Sequence, residues 1–175
     1  MVEKEATREK ETELVVPIDP HGDDPVNDAR RRKDKALKGR KVIKGKEIPF
    51  SMSRMAIHRN YAREWTEDLC NNNWVIFVHD IRTHSGKHVH QGGLVLFVIK
   101  GKGYTVVDKR RFDWGEGDLI CLPVKKGGVE HQHFNLERTP SRWCAFIFKP
   151  QWDLIGRIHE MRESNPFWKE TSQTK

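Results

Sequence analysis

The run Gly86-Lys-His-Val-His-Gln-Gly-Gly-Leu-Val-Leu-Phe-Val-Ile-Lys-Gly-Lys-Gly-Tyr-Thr-Val-Val-Asp108 holds two signals at once. It opens with His88 and His90, two residues apart. It continues as two β-rich segments, Leu94 to Ile99 and Tyr104 to Asp108, separated by the turn Gly101-Lys102-Gly103. Residues two apart on a strand share a face, so a strand here presents both imidazoles to one side of a sheet. Branched and aromatic residues broken by a glycine turn are the pattern of a hairpin.

Outward from this centre lie further short runs of the same kind, Trp74 to Ile81, Asp118 to Leu122 and Trp143 to Phe148. Gly92-Gly93, Gly115-Glu116-Gly117 and Gly127-Gly128 punctuate them. Short strands at this spacing predict an all-β antiparallel sandwich or barrel, and no internal repeat points to a duplicated one. Residues 1–46 are polar and carry Pro17, Pro20 and Pro25, so they read as an extended or partly disordered arm. Ser53 to Trp65 has a mixed pattern compatible with a short helix or an extended segment. Leu154, Ile158 and Met161 behind Asp153 have helical spacing, which predicts a helix over 153–163. The expected organisation is an arm over 1–46, a barrel over 47–150, and a C-terminal helix and tail over 151–175.

The chain has 175 residues, which suits one domain. No apolar run approaches the roughly 20 residues of a membrane span, and the N-terminal ten residues are charged rather than signal-like, so a cytoplasmic protein is expected. Cys70, Cys121 and Cys144 are odd in number and lack CxxC spacing, which reads as reduced packing residues. The net charge is +7, but Arg30 to Lys46 alone carries +9, leaving −2 for the rest. A basic arm binds polyanions through counterion release. Without any nucleic-acid motif, a solvated strip or a contact with an acidic neighbour is the favoured reading.

Five of the nine histidines cluster, as His84, His88 and His90 and as His131 and His133. His88 and His90 supply one pair of ligands to a metal, and His131 or His133 adds a third from another strand. Neutral imidazole suits Fe, Zn, Cu or Ni. His133 is also a candidate proton acceptor or hydrogen-bond partner beside the metal, and Arg82 a candidate for pairing with a substrate carboxylate or phenolate. Phe97 is the aromatic nearest in sequence to the first pair and the best candidate for a pocket wall. Asn135 is read as a turn former and His84 as exposed, while His21, His58, His79 and His159 receive no role.

At these residues the sequence resembles the cupin superfamily. Gly86, His88, His90 and Gly101 match its first motif, and Gly117, Pro123, His131 and Asn135 its second, with Lys125 and Lys126 inserted between Pro123 and Gly127. The resemblance covers roughly residues 75–149 and implies a double-stranded β-helix with His88, His90 and His131 as metal ligands. Most metal cupins carry a glutamate ligand a few residues after His-x-His, where this chain has Leu94 or Val95. Gln91 is a weak candidate for a fourth ligand. The segments 94–108 and 131–135 are similar to the gentisate and hydroxynaphthoate dioxygenase group, which implies Fe(II), O2 and a small hydroxylated aromatic or enolisable carbonyl substrate. Zn, Mn, Ni or Cu are the other metals such a shell accepts, in a nonredox isomerase or hydrolase. A barrel that only binds or senses a small molecule is the remaining alternative. A homodimer or higher homo-oligomer is expected from the arm and the C-terminal segment reaching across a twofold.

Overall fold

The computed structural model describes residues 19–63 and 65–169. The ends of the expected arm and tail, residues 1–18 and 170–175, lie outside them. The fold is two facing antiparallel sheets. One has the order β1 (Ser51–Met52), β2 (Ile57–Ala62), β3 (Trp74–Ile81), β10 (Ser141–Phe148), β5 (Leu94–Lys100) and β8 (Leu119–Cys121). The other runs β11 (His159–Glu163), β4 (Lys87–His90), β9 (Val129–Asn135), β6 (Gly103–Val107) and β7 (Arg110–Trp114). No helix of the described residues is long and apolar enough to cross a membrane.

Alternation along the central strands builds the core. Val75, Phe77 and Ile81 on β3 face Trp143, Ala145 and Ile147 on β10 in one buried cluster. A single-residue slip would turn these side chains outward, so the pattern itself sets the register. On the outer face of the same pair, Asp80 lies opposite Arg142 and receives two hydrogen bonds from its guanidinium, at 2.6 and 2.7 Å. This bidentate pair is half-buried and adds geometric specificity to the pairing.

Three expectations change. The basic segment is not extended: Asp24–Lys38 forms helix α1, with no buried residue. Pro25 near its start and the Asp28–Arg32 and Asp34–Lys38 pairs at i,i+4 support a helix that is polar all round, which apolar periodicity does not report. The C-terminal helix is shorter and earlier than expected: α2 spans Lys149–Leu154, and β11 follows. Gly156 lies at φ +79°, which stops α2, and Leu154 is 86% exposed rather than packed. Ser53 to Trp65, left between helix and strand, contains β2.

Asn135 does hold a turn. Its side-chain amide donates toward the carbonyls of Arg82, Glu137 and Thr139, and its oxygen accepts from the Glu137 amide. The Asn135→Ala variant leaves these carbonyls to solvent and is expected to lose about 1–3 kcal/mol, read as a lower urea midpoint at unchanged slope.

Candidate metal centre

The β4–β9 ladder places His88 directly opposite His131, with His90 two residues further along β4 on the same face. The three side chains are buried, and their ligand atoms lie within 4.8 Å of one another. Ring centroids are 4.1 Å apart for His88 and His131 and 4.5 Å for His90 and His131. Small ring rotations bring such a set around one divalent ion at the usual metal–nitrogen distance of about 2.0–2.1 Å.

Backbone groups orient these rings. His88 Nδ1 faces the Gly86 carbonyl and His131 Nδ1 the Val129 carbonyl, each at 3.1 Å. A carbonyl can only accept, so both rings carry their proton on Nδ1 and offer the Nε2 lone pair inward. His90 differs: its Nδ1 accepts from the Gly92 amide at 2.9 Å, which leaves the proton of the neutral ring on Nε2. Metal capture therefore requires this ring to turn or to give up that proton. Gly92 itself is constrained, with φ +82° and a position where a Cβ would collide with the Pro123 carbonyl oxygen.

His133 projects from β9 on the same face as His131 and is 1% exposed. Its Nδ1 lies 2.8 Å from Thr105 Oγ1, and the same hydroxyl accepts from Trp114 Nε1 at 2.9 Å. The Trp114 donor is obligate and takes one of the two lone pairs of the hydroxyl, so Thr105 either donates to His133 Nδ1 or accepts from it, and in both tautomers Nε2 is the free edge of that ring. Its centroid is 5.5 Å from that of His131, adjacent to the cluster.

The cluster opens on a cavity of about 310 Å³ lined by both sheets. Val75, Phe77, Leu94, Leu96, Trp143 and Ile147 make most of it apolar, while Arg63, Lys149 and Arg157 also reach it. No Asp or Glu among the described residues lines it. Leu94, at the position after His-x-His, faces the cavity.

Other sequence candidates are elsewhere. Arg82 is exposed and its guanidinium lies 5.1 Å from the Phe167 ring centroid, outside the cavity. Phe97 is 44% exposed on the outer face of β5, because alternation turns Leu94 and Leu96 inward instead. Gln91 is occupied: its side chain bonds the Trp152 carbonyl and the Ile158 amide, which pins the segment after α2 over the site. His84, expected to be exposed, is half-buried and lies 3.1 Å from Gln132 Nε2.

Three histidines that sequence reading left without a role line the cavity: His58 on β2, His79 on β3 and His159 on β11. His159 sits opposite His90 across the β4–β11 ladder, with its ring centroid 5.7 Å from that of His88. Nothing in a lone histidine inside an apparent helix signals this. His79 was legible, since it continues the inward set Val75, Phe77 and Ile81 on β3.

Burial, with neighbouring imidazoles as the lesser cause, holds His79, His88, His131 and His133 well below the ordinary histidine value of 6.5. Burial likewise lowers His90 to about 3. All five are neutral at pH 7, the form that ligates metals. In the unfolded chain each protonates near 6.5, so below that pH the unfolded state binds more protons. Stability of the metal-free protein is therefore full above about pH 6.5 and falls as the pH drops toward 3. The slope is at most about 1.4 kcal/mol per pH unit for each histidine. Urea midpoints measured between pH 7.5 and 4.5 are expected to fall steadily, with most of the loss below pH 6.

Residues 77–148 match the family described as Cupin domain. No curated protein gives a significant sequence match. Among solved structures, salicylate 1,2-dioxygenase from Pseudoaminobacter salicylatoxidans with gentisate is similar at TM-score 0.52 and 15% identity, over 78% of this chain and 36% of that one. This chain thus spans about a third of that dioxygenase. A cupin-like protein from Thermotoga maritima is similar at TM-score 0.51 and 15% identity, covering 71% of this chain and 90% of its own. A Streptomyces protein solved with uridine has TM-score 0.51 and 12% identity, over 71% of this chain and 93% of that one. Identities this low speak to the fold alone. With strands, motifs and histidines in agreement, residues 77–148 form a cupin-type barrel that holds a three-histidine metal site.

Proposed function

We propose that this protein is a non-haem Fe(II)-dependent dioxygenase. It cleaves a carbon–carbon bond, in a ring or a side chain, of a hydroxylated aromatic or enolisable carbonyl compound with O2. The observation that carries the reading is the buried, neutral His88–His90–His131 set opening on an apolar cavity without a carboxylate among its described residues. Salicylate 1,2-dioxygenase, a structural neighbour, fits the same assignment.

When bound to these imidazoles, a divalent metal keeps its full charge and supplies a Lewis-acid centre with open positions for substrate oxygens and O2. The protein's own part is to orient and to exclude water. Phe77, Leu94, Leu96 and Ile147 hold the substrate body in an apolar wall. His133, held by Thr105, presents Nε2 to the region beside His131; with Thr105 donating to Nδ1, that edge is an N–H that donates to a substrate oxygen as negative charge builds on it. Arg82, outside the cavity, is given no substrate contact in this reading.

The experiment is metal analysis of anaerobically purified protein, paired with O2 uptake on a panel of hydroxybenzoates, diketones and hydroxyacetophenones. Near-stoichiometric iron, with uptake lost in His88→Ala, is the expected result. Protein that remains inert after anaerobic Fe(II) loading overturns the dioxygenase reading in favour of nonredox or binding-only work.

For assembly, we place a homodimer contact on the outer face of β5 and β8. Phe97 pairs with Leu119 there, 44% and 58% exposed, beside Ile99 at 41%. Light scattering at micromolar concentration is expected to give twice the chain mass, reduced toward one by Leu119→Lys; a monomeric native protein removes this assignment.

A further inference from the structure

We propose that the cavity wall opposite the three-histidine set is a second subsite, one that takes an anionic group of the substrate remote from its metal-chelating oxygens. The inference rests on the function proposed above and names the substrate class for that site. Its frame is a cross-strand row: His58 on β2 lies opposite His79 on β3, which lies opposite Trp143 on β10. This row belongs to the sheet that faces the one carrying His88, His90 and His131.

His79 is the first reason. It is 5% exposed, lines the cavity, and its side chain makes no hydrogen bond among the described residues. Its ring packs 4.6 Å from Trp143 and 4.8 Å from Phe77, centroid to centroid. An imidazole at the cavity wall with no protein partner is available to bond a ligand oxygen there, and in the same row His58 Nδ1 and Trp143 Nε1 are buried without a partner among the described residues.

Charge is the second. Arg63, half-buried, holds its guanidinium 4.7 Å from the Phe77 ring centroid, next to His79 on the same strand face. Lys149 and Arg157 line the same cavity, Arg157 ion-paired with Asp153 at 2.7 Å, and no described carboxylate lines it. Arg63 lines the same cavity as His58, His79 and His159. An anion entering here meets an arginine and a neutral imidazole in low dielectric, where charge-assisted hydrogen bonds are strongest. A cavity of about 310 Å³ is at the small end for ligand sites. The class that fits is a single ring or short chain with vicinal oxygens at one end and a carboxylate at the other.

The test is binding to the full-length protein loaded with Fe(II) under anaerobic conditions, where no turnover occurs. Quenching of tryptophan fluorescence and titration calorimetry follow three probes: 3,4-dihydroxybenzoate, its neutral amide, and catechol. Trp143 and Trp152 line the cavity and report occupancy. The acid is expected to bind at least about tenfold tighter than the amide. Arg63→Gln abolishes that preference and leaves catechol affinity unchanged, Arg63→Lys retains part of it, and His79→Phe weakens the acid severalfold more than catechol. Equal affinity for acid and amide in the native protein overturns the inference, as does an intact preference in Arg63→Gln. If a variant fails to fold, the acid-to-amide ratio of the native protein decides alone. Equal affinities with O2 uptake on the wider panel sink the subsite and leave the dioxygenase standing. A clear preference without O2 uptake does the reverse.

Discussion

Everything at the site depends on the register between β4 and β9. That pairing sets His88 against His131 and fixes which face of each strand looks into the barrel. The arrangement is costly for a metal-free chain. It gathers five neutral imidazoles in an interior where protonation is suppressed and where His79 finds no hydrogen-bond partner. The flanking sheet pays for this with tightly packed apolar rows on β3 and β10, cross-linked on the outside by Asp80 and Arg142. A ligand bound only by the folded state returns free energy in proportion to the logarithm of its concentration over its Kd. Occupancy of the histidine set thus acts directly on the stability of the barrel.

Much of this was legible in the residues. Trp74 to Ile81 forms β3 over the same span, and the runs at 94–99, 104–108, 118–122 and 143–148 each contain a strand, because branched and aromatic residues alternate there without competing signals. The three-histidine set followed from spacing together with motif order. What stayed hidden depended on contacts distant in sequence. β11 reads as a helix until Gly156 and the ladder with β4 are seen, so His159 had no visible place at the site. Helix α1 lacks an apolar stripe and is supported by ion pairs that composition reports only as charge. Phe97 and Arg82 were picked for closeness in sequence to the histidines, but strand alternation turns the first outward and the loop after β3 carries the second away.

The electrostatics divide into two regions that a net charge of +7 merges. The basic helix is solvated, and Arg31, Arg32 and Lys38 are paired along its own surface with Asp28 and Asp34. At the cavity, Arg63 and Lys149 sit half-buried beside apolar and aromatic walls, where water screens them less. The few charges inside the barrel therefore bear more on ligand choice than the many on the arm.

Strand β11 does more than bring His159 to the cavity. It is the outermost strand of its sheet and pairs on one side only, with β4. Without it β4, which carries His88 and His90, would be the open edge, a template for pairing with any extended chain nearby. The residues Glu160, Arg162 and Glu163 are exposed along β11 and place alternating charge where a further strand would have to dock. The histidine-bearing strand is thereby kept out of reach of edge-to-edge aggregation by a segment whose own sequence resists joining a fibril.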